Sequence, residues 1–142
     1  MKTLFEVVVL PVSDPGSSLK FYRDKVGFDL DVDYAPTPEF RVIQLTPDGS
    51  STSIQFGIGV TDAPAGSVRG LYLVVPDIEA ARRELTQRGV VVNEIRHKDT
   101  SGEGWHGAYL PGVDPDRMDY ASFAEFRDPD GNSWVLQERG HR

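Results

Sequence analysis

The side chains with the most chemical potential in this chain are three histidines, His97, His106 and His141, in a sequence with no cysteine. His97 and His106 lie among Glu94, Asp99, Glu103, Asp114, Asp116 and Asp119. Imidazole and carboxylate together hold zinc, nickel or iron, normally with three or more ligands. The spacing here matches no metal-binding motif, and loop Asp and Gly residues serve turns first. A polar loop with one structural His is therefore the favoured reading, and an atypical metal site is the alternative. His141 sits in the tail and reads as solvated. Thiolate chemistry is excluded, no Ser–His–Asp set can be located, and Gly102-Glu103-Gly104 is too short for a phosphate-cradling loop. Tyr72 and Gln137 offer a phenol and an amide to a ligand, or else satisfy each other. Trp105-His106 offers an aromatic lid over a cavity mouth, or a Trp buried for loop packing. Arg82, Arg83 and Arg88 read as a solvated helix face.

Those residues must be positioned by elements that occur twice. Val12-Ser13-Asp14 closes an apolar run and opens a helical pattern ending at Gly27; Val75-Pro76-Asp77 opens another ending at Gly89. Asp14 and Asp77 are good N-caps, Pro15 suits the first helical position, and the two glycines suit C-terminal stops. Each helix is followed by β-rich sequence, an Asp-Gly turn (Asp48-Gly49, Asp130-Gly131) and a strand, Ser51 to Gly59 or Asn132 to Glu138. The remaining predicted strands are Phe5 to Val12, Phe28 to Tyr34, Phe40 to Leu45, Val68 to Val75, Val90 to Ile95 and Ala121 to Phe126. The order β-α-β-β-β is thus repeated, which means two copies of one supersecondary unit. Module one spans 3–59, the linker 60–67 and module two 68–138. Residues 98–120 have no counterpart in module one and read as a long loop, a place where function concentrates. Asp128-Pro129-Asp130-Gly131 is a turn with no catalytic role.

Composition bounds the rest. A chain of 142 residues is large enough for one domain with a real core. No apolar run reaches the ~20 residues of a membrane helix, so no membrane partner is expected. The net charge of −7, with no basic run, argues against nucleic acid. The Met1-Lys2-Thr3 start is a poor signal peptide, and the cytoplasm is the expected location.

The residues Leu10-Pro11-Val12-Ser13-Asp14, Phe21-Tyr22-Arg23, Gly27-Phe28 and Phe126 to Trp134, in this order and spacing, resemble the vicinal oxygen chelate superfamily of glyoxalases, bleomycin-resistance proteins and extradiol dioxygenases. The resemblance covers nearly the whole chain. It implies an α+β fold with two βαβββ modules whose cupped sheets surround a central cavity, and it implies a homodimer. Metal-dependent members draw one ligand from each of four strands. The equivalent positions here are Val7, Gln55, Gly70 and Val135, of which only Gln55 offers an oxygen. A neutral amide alone does not hold a transition metal, so no metal and no cofactor are expected.

Alternation along strands sorts the faces. Val8, Leu10, Ile54, Phe56, Leu71, Leu73, Trp134 and Leu136 are expected against the helices. Val7, Val9, Gln55, Gly70, Tyr72, Val135 and Gln137, with Trp105 and His106 at the mouth, are the expected ligand-binding residues. Such a pocket, free of fixed charge unless Arg41 or Arg96 turns inward, suits a planar, weakly polar compound. The expected function is a metal-free small-molecule-binding protein holding an apolar or aromatic ligand for sequestration or pathway use. The alternatives are a metal-independent enzyme of lyase or isomerase type using neutral donors, and a metal-dependent lyase or dioxygenase with atypical ligands.

Overall fold

A computed structural model describes residues 1–101 and 104–142. Gly102 and Glu103 lie outside the described residues. The chain forms two compact units, and each contains one β-α-β-β-β run. Unit 1 comprises Met1–Val68 together with Asp128–Asn132; unit 2 comprises Arg69–Arg127 and Ser133–Arg142.

In unit 1, β1 (Val7–Val9) is followed by α1 (Pro15–Lys20), which runs on as a π-helical segment, Phe21–Val26. Asp14 caps α1 by accepting from the backbone N–H groups of Gly16 and Ser17. At the far end Gly27 takes φ 92°, a left-handed conformation open to glycine, and its N–H and that of Phe28 both reach the Tyr22 carbonyl. The widened turn was not expected from sequence; it carries the buried Phe21 and Tyr22 side by side. Strands β2 (Asp29–Thr37), β3 (Phe40–Thr46) and β4 (Ser53–Ile58) complete a sheet ordered β1-β4-β3-β2, with β1 parallel to β4. Tyr22 packs on Phe21, Phe28 and Phe56 with ring centroids 5.1–5.9 Å apart. Its hydroxyl donates to Asp128 at 2.9 Å. The Asp128–Asn132 turn is fastened further by Ser13, which donates to Asp130, and by Asn132, which donates to the Pro11 carbonyl. The turn has the structural role expected of it.

In unit 2 the order is β5 (Leu71–Val75), α2 (Ile78–Gln87), β6 (Arg96–Lys98), β7 (Tyr109–Pro111), β8 (Ser122–Arg127) and β9 (Ser133–Glu138). The sheet order is β5-β9-β8-β6-β7. Asp77 caps α2 through Ala80 N–H, and Ile78 and Leu85 face inward. Three expectations are corrected here. Strand β5 begins at Leu71 rather than Val68, because Gly70 takes φ 73° and breaks the extended run. Val90 to Ile95 is not a strand: Val92 makes one isolated bridge to Phe126, and the Asn93 side chain accepts from Glu125 N–H where a ladder would continue. The stretch 98–120 is not all loop; Tyr109–Pro111 adds a fifth strand by pairing with β6, and Gly104–His106 forms a 3-10 turn.

The predicted helix-side set divides. Leu10, Ile54, Phe56, Trp134 and Leu136 are buried, whereas Val8, Leu71 and Leu73 are half-buried. Trp134 stacks on Phe126 at 6.2 Å. An unforeseen buried charge accompanies them. Glu138 is 0% exposed, accepts from Ile78 N–H, and is gripped by Arg117 at 2.8 and 2.6 Å. Burial pushes the Glu138 pKa up, but the Arg117 guanidinium and the Ile78 N–H outweigh it and hold the carboxyl below its ordinary value.

Candidate functional site: the open sheet face of unit 2

The register of unit 2 decides which side chains meet. Tyr72 pairs with Val135, Val74 with Gln137, Phe123 with Gln137 and with Arg96, and Lys98 with Tyr109. Since side chains alternate, all of these lie on the face away from α2. There Tyr72, Trp105, Tyr109, Tyr120, Phe123 and Gln137 line a cavity of about 460 Å³. Five of the six are aromatic. Tyr109 meets Phe123 edge-on at 5.7 Å, the arrangement ring quadrupoles favour. Large rings are usually covered, yet Tyr72 is 56% exposed and Trp105 47%. Gln137 does not pair with Tyr72; its Nε2 donates to the Tyr120 carbonyl at 3.0 Å. Tyr120 is held at φ 68° with its N–H on the Glu138 carbonyl, and its hydroxyl accepts from Arg139 at 3.1 Å.

Of the residues expected from sequence, Tyr72, Trp105 and Gln137 are thus brought together, with Val135 buried beside Tyr72. His106 is exposed in the 3-10 turn and is not among the lining residues. Val7, Val9 and Gln55 share the open face of unit 1, where Gln55 donates to Gln44 at 2.8 Å. Gly70 precedes β5, its N–H donating to the Ser133 hydroxyl. Sequence reasoning missed Tyr109, Tyr120 and Phe123. It expected no fixed charge unless Arg41 or Arg96 turned inward; Arg41 is paired with Asp33, the Arg96 Cζ lies 4.9 Å from the Tyr109 ring centroid, and the unforeseen Lys98 Nζ lies 4.1 Å from it. A larger depression, about 780 Å³, lies by α2 and the β6–β7 hairpin. Its Arg82 is already committed to the carbonyls of Asn93 and Val92, and its other cation, Arg96, stands at the Tyr109 ring.

The histidines make no catalytic set among the described residues. His97 is buried with Nδ1 2.8 Å from the Gly112 carbonyl, a structural contact. His141 is half-buried rather than solvated, and its ligand atoms come within 4.8 Å of those of Asp77 and Glu138. That trio could suit a cation, but the Arg117 guanidinium already lies 2.6 Å from Glu138 and 3.6 Å from Asp77. The four positions that the sequence resemblance assigns to a metal also fail on donor chemistry. Val7 and Gln55 in unit 1 and Gly70 and Val135 in unit 2 supply one neutral amide, which does not fit a divalent transition ion.

The family model of the Glyoxalase/Bleomycin resistance protein/Dioxygenase superfamily matches residues 4–136. This chain belongs to that superfamily. Two solved structures from Streptomyces sp. CB03234 are similar to it. One is TnmS3, described as an antibiotic binding protein, at 31% identity over 96% of each chain and a TM-score of 0.71. The other is a glyoxalase/bleomycin resistance protein at 32% identity, covering 94% of this chain and 99% of that one, with a TM-score of 0.68. The uncharacterized protein YetH of Bacillus subtilis (strain 168) is 24% identical over 131 residues, 92% of this chain and 94% of that protein. The α+β architecture of two mixed sheets with two helices agrees with superfamily membership.

Proposed function

We propose that this protein binds a planar aromatic small molecule in the cavity on the open face of unit 2 and does so without a metal ion. The observation that carries the reading is the lining itself, five rings and one amide around about 460 Å³. Stacking supplies the affinity, and the Gln137 amide and Tyr72 phenol supply orientation. Similarity to an antibiotic binding protein supports sequestration of an antibiotic-like compound as the biological use. The metal-free part rests on the donors at Val7, Gln55, Gly70 and Val135. The proposal extends to a cytoplasmic homodimer. Exposed apolar side chains on β2, Leu30, Val32 and Tyr34, offer a surface to a second copy, and a chain without cysteine suits a reducing compartment.

Calorimetric titration with 2-naphthamide, a neutral planar probe, tests the reading. The parent should bind, and Tyr72→Ala and Trp105→Ala should each weaken binding about ten-fold, the loss of ~1.4 kcal/mol of stacking. Equal binding by all three proteins would move the site elsewhere. Near-stoichiometric zinc, nickel, iron or manganese in protein purified without added metal would overturn the metal-free part.

A further inference from the structure

We propose that the unit 2 cavity selects planar ligands that carry an anionic edge, a carboxylate or a phenolate, and that Arg96 and Lys98 are the residues that select it. The inference rests on the aromatic-ligand reading above and adds a charge requirement to it. Arg96 pairs with Phe123 and Lys98 with Tyr109, so both cations share the sheet face of two of the cavity's rings, just outside its six lining residues, and Arg96 also lines the depression by the β6–β7 hairpin. The Arg96 Cζ is 4.9 Å from the Tyr109 centroid and 6.0 Å from that of Phe123, and the Lys98 Nζ is 4.1 Å from Tyr109. Ring faces hold the two cations in place and keep them close together despite their repulsion.

In this acidic chain cations are commonly matched. Arg23, Arg41, Arg82, Arg88, Arg117 and Arg127 all sit within 4.0 Å of a carboxylate. Among the described residues, Arg96 and Lys98 make no ion pair. Lys98 gives one of its three N–H bonds to the Gly107 carbonyl at 3.2 Å. The acid on the same face, Glu125, faces Arg127 at 3.9 Å. The unmatched charge at the aromatic wall is therefore positive. An anionic substituent on a stacked ligand would meet a guanidinium fork and an ammonium there and form charge-assisted hydrogen bonds. A neutral ligand of the same shape would stack equally well but leave those donors to water.

The test uses 2-naphthoate against 2-naphthamide, which match in size and planarity and differ in charge. The full chain should bind naphthoate about ten-fold more tightly, as hydrogen bonds to charged groups allow. Raising ionic strength from about 0.01 to about 0.15 M should weaken naphthoate and leave naphthamide unchanged, since salt screens only the charged pair. The Arg96→Gln/Lys98→Gln double variant should lose the preference while keeping naphthamide affinity. The Lys20→Gln/Lys25→Gln double variant, an equal charge loss at exposed positions of unit 1, should keep it. Equal affinity of the unmodified protein for the two probes, or a salt-insensitive preference, would overturn this inference and leave the aromatic reading standing. If neither probe binds, both fall.

Discussion

Unit 1 and unit 2 repeat one order of elements but cluster their aromatic residues on different faces. In unit 1 the rings of Phe21, Tyr22, Phe28 and Phe56 are gathered under the helix, and the open face carries Val7, Val9, the Gln44–Gln55 pair and, on β2 and β3, the exposed Tyr34 and Phe40, with no cavity built from rings among the described residues. In unit 2 the helix side keeps Trp134 and Phe126, but Tyr72, Tyr109, Tyr120 and Phe123 stand on the open face. Rings under a helix stabilise by leaving water. Phe123 is buried there, but Tyr72, Tyr109 and Tyr120 are left half in water and contribute little to folding, so their presence has to be explained by what they touch next. The difference also locates the insertion: only unit 2 has the extra hairpin, and that hairpin brings Tyr109, Arg96 and Lys98 to the face.

The contrast breaks most visibly in stability. Phe56→Ala should cost ~3–5 kcal/mol, because Phe56 is 0% exposed within the aromatic group of unit 1. Leu73→Ala, on a half-buried position of β5, should fall below the ~2 kcal/mol that marks the low end for a buried Leu. Chemical denaturation measures both, and equal losses would mean that the two helix faces are packed alike. Next in size is Arg117→Met, which leaves Glu138 buried without its cation. The cost should lie near the lower end of the ~3–5 kcal/mol for breaking a buried pair, since Arg117 itself keeps some contact with water. This prediction has a pH signature. The folded pKa of Glu138 is depressed, so the folded state holds fewer protons than the unfolded one at acid pH. Its stabilisation is complete above the ordinary Glu value of 4.5 and is lost as pH falls through the lower folded value. Parent and Arg117→Met denaturation curves should therefore converge as the pH is lowered through the acid range.

Tyr22→Phe should cost ~1.5–3 kcal/mol, the range for a hydrogen bond to a charged group, by leaving buried Asp128 short of one donor. The smallest effects discriminate the two open faces. Gln55→Leu and Gln137→Leu each remove one neutral hydrogen bond and should cost ~1 kcal/mol or less. Only Gln137→Leu should also weaken 2-naphthamide. A matching loss in Gln55→Leu would extend the binding surface to the unit 1 sheet.

The helices and most strands were legible because their signals are local. Asp14 and Asp77 cap through their own backbone neighbours, and Gly27 and Gly89 stop the helices at positive φ. Tyr72 and Gln137 were legible because alternation fixes a face inside a regular strand. The rest depended on pairing at a distance. Three residues, Tyr109–Pro111, become a strand only because β6 lies alongside them. The Tyr120 ring is aimed by a left-handed backbone that alternation cannot anticipate. Arg96 and Lys98 share a parity that is plain once β6 is placed, but β-branching favours Val90 to Ile95 as the strand. The Glu138–Arg117 pair spans 21 residues and carries no motif.

The turn that joins β8 to β9 belongs to unit 1, and this sets a timetable for synthesis. Residues 1–68 leave the ribosome with the Tyr22 hydroxyl and the Pro11 carbonyl still waiting for Asp128 and Asn132. Sixty residues separate Val68 from Asp128, so at ~5–20 residues per second the wait is roughly 3–12 s. Through that interval the first-made half is a nascent chain with an open seam, in reach of chaperones. The half made last supplies the clasp that closes the half made first.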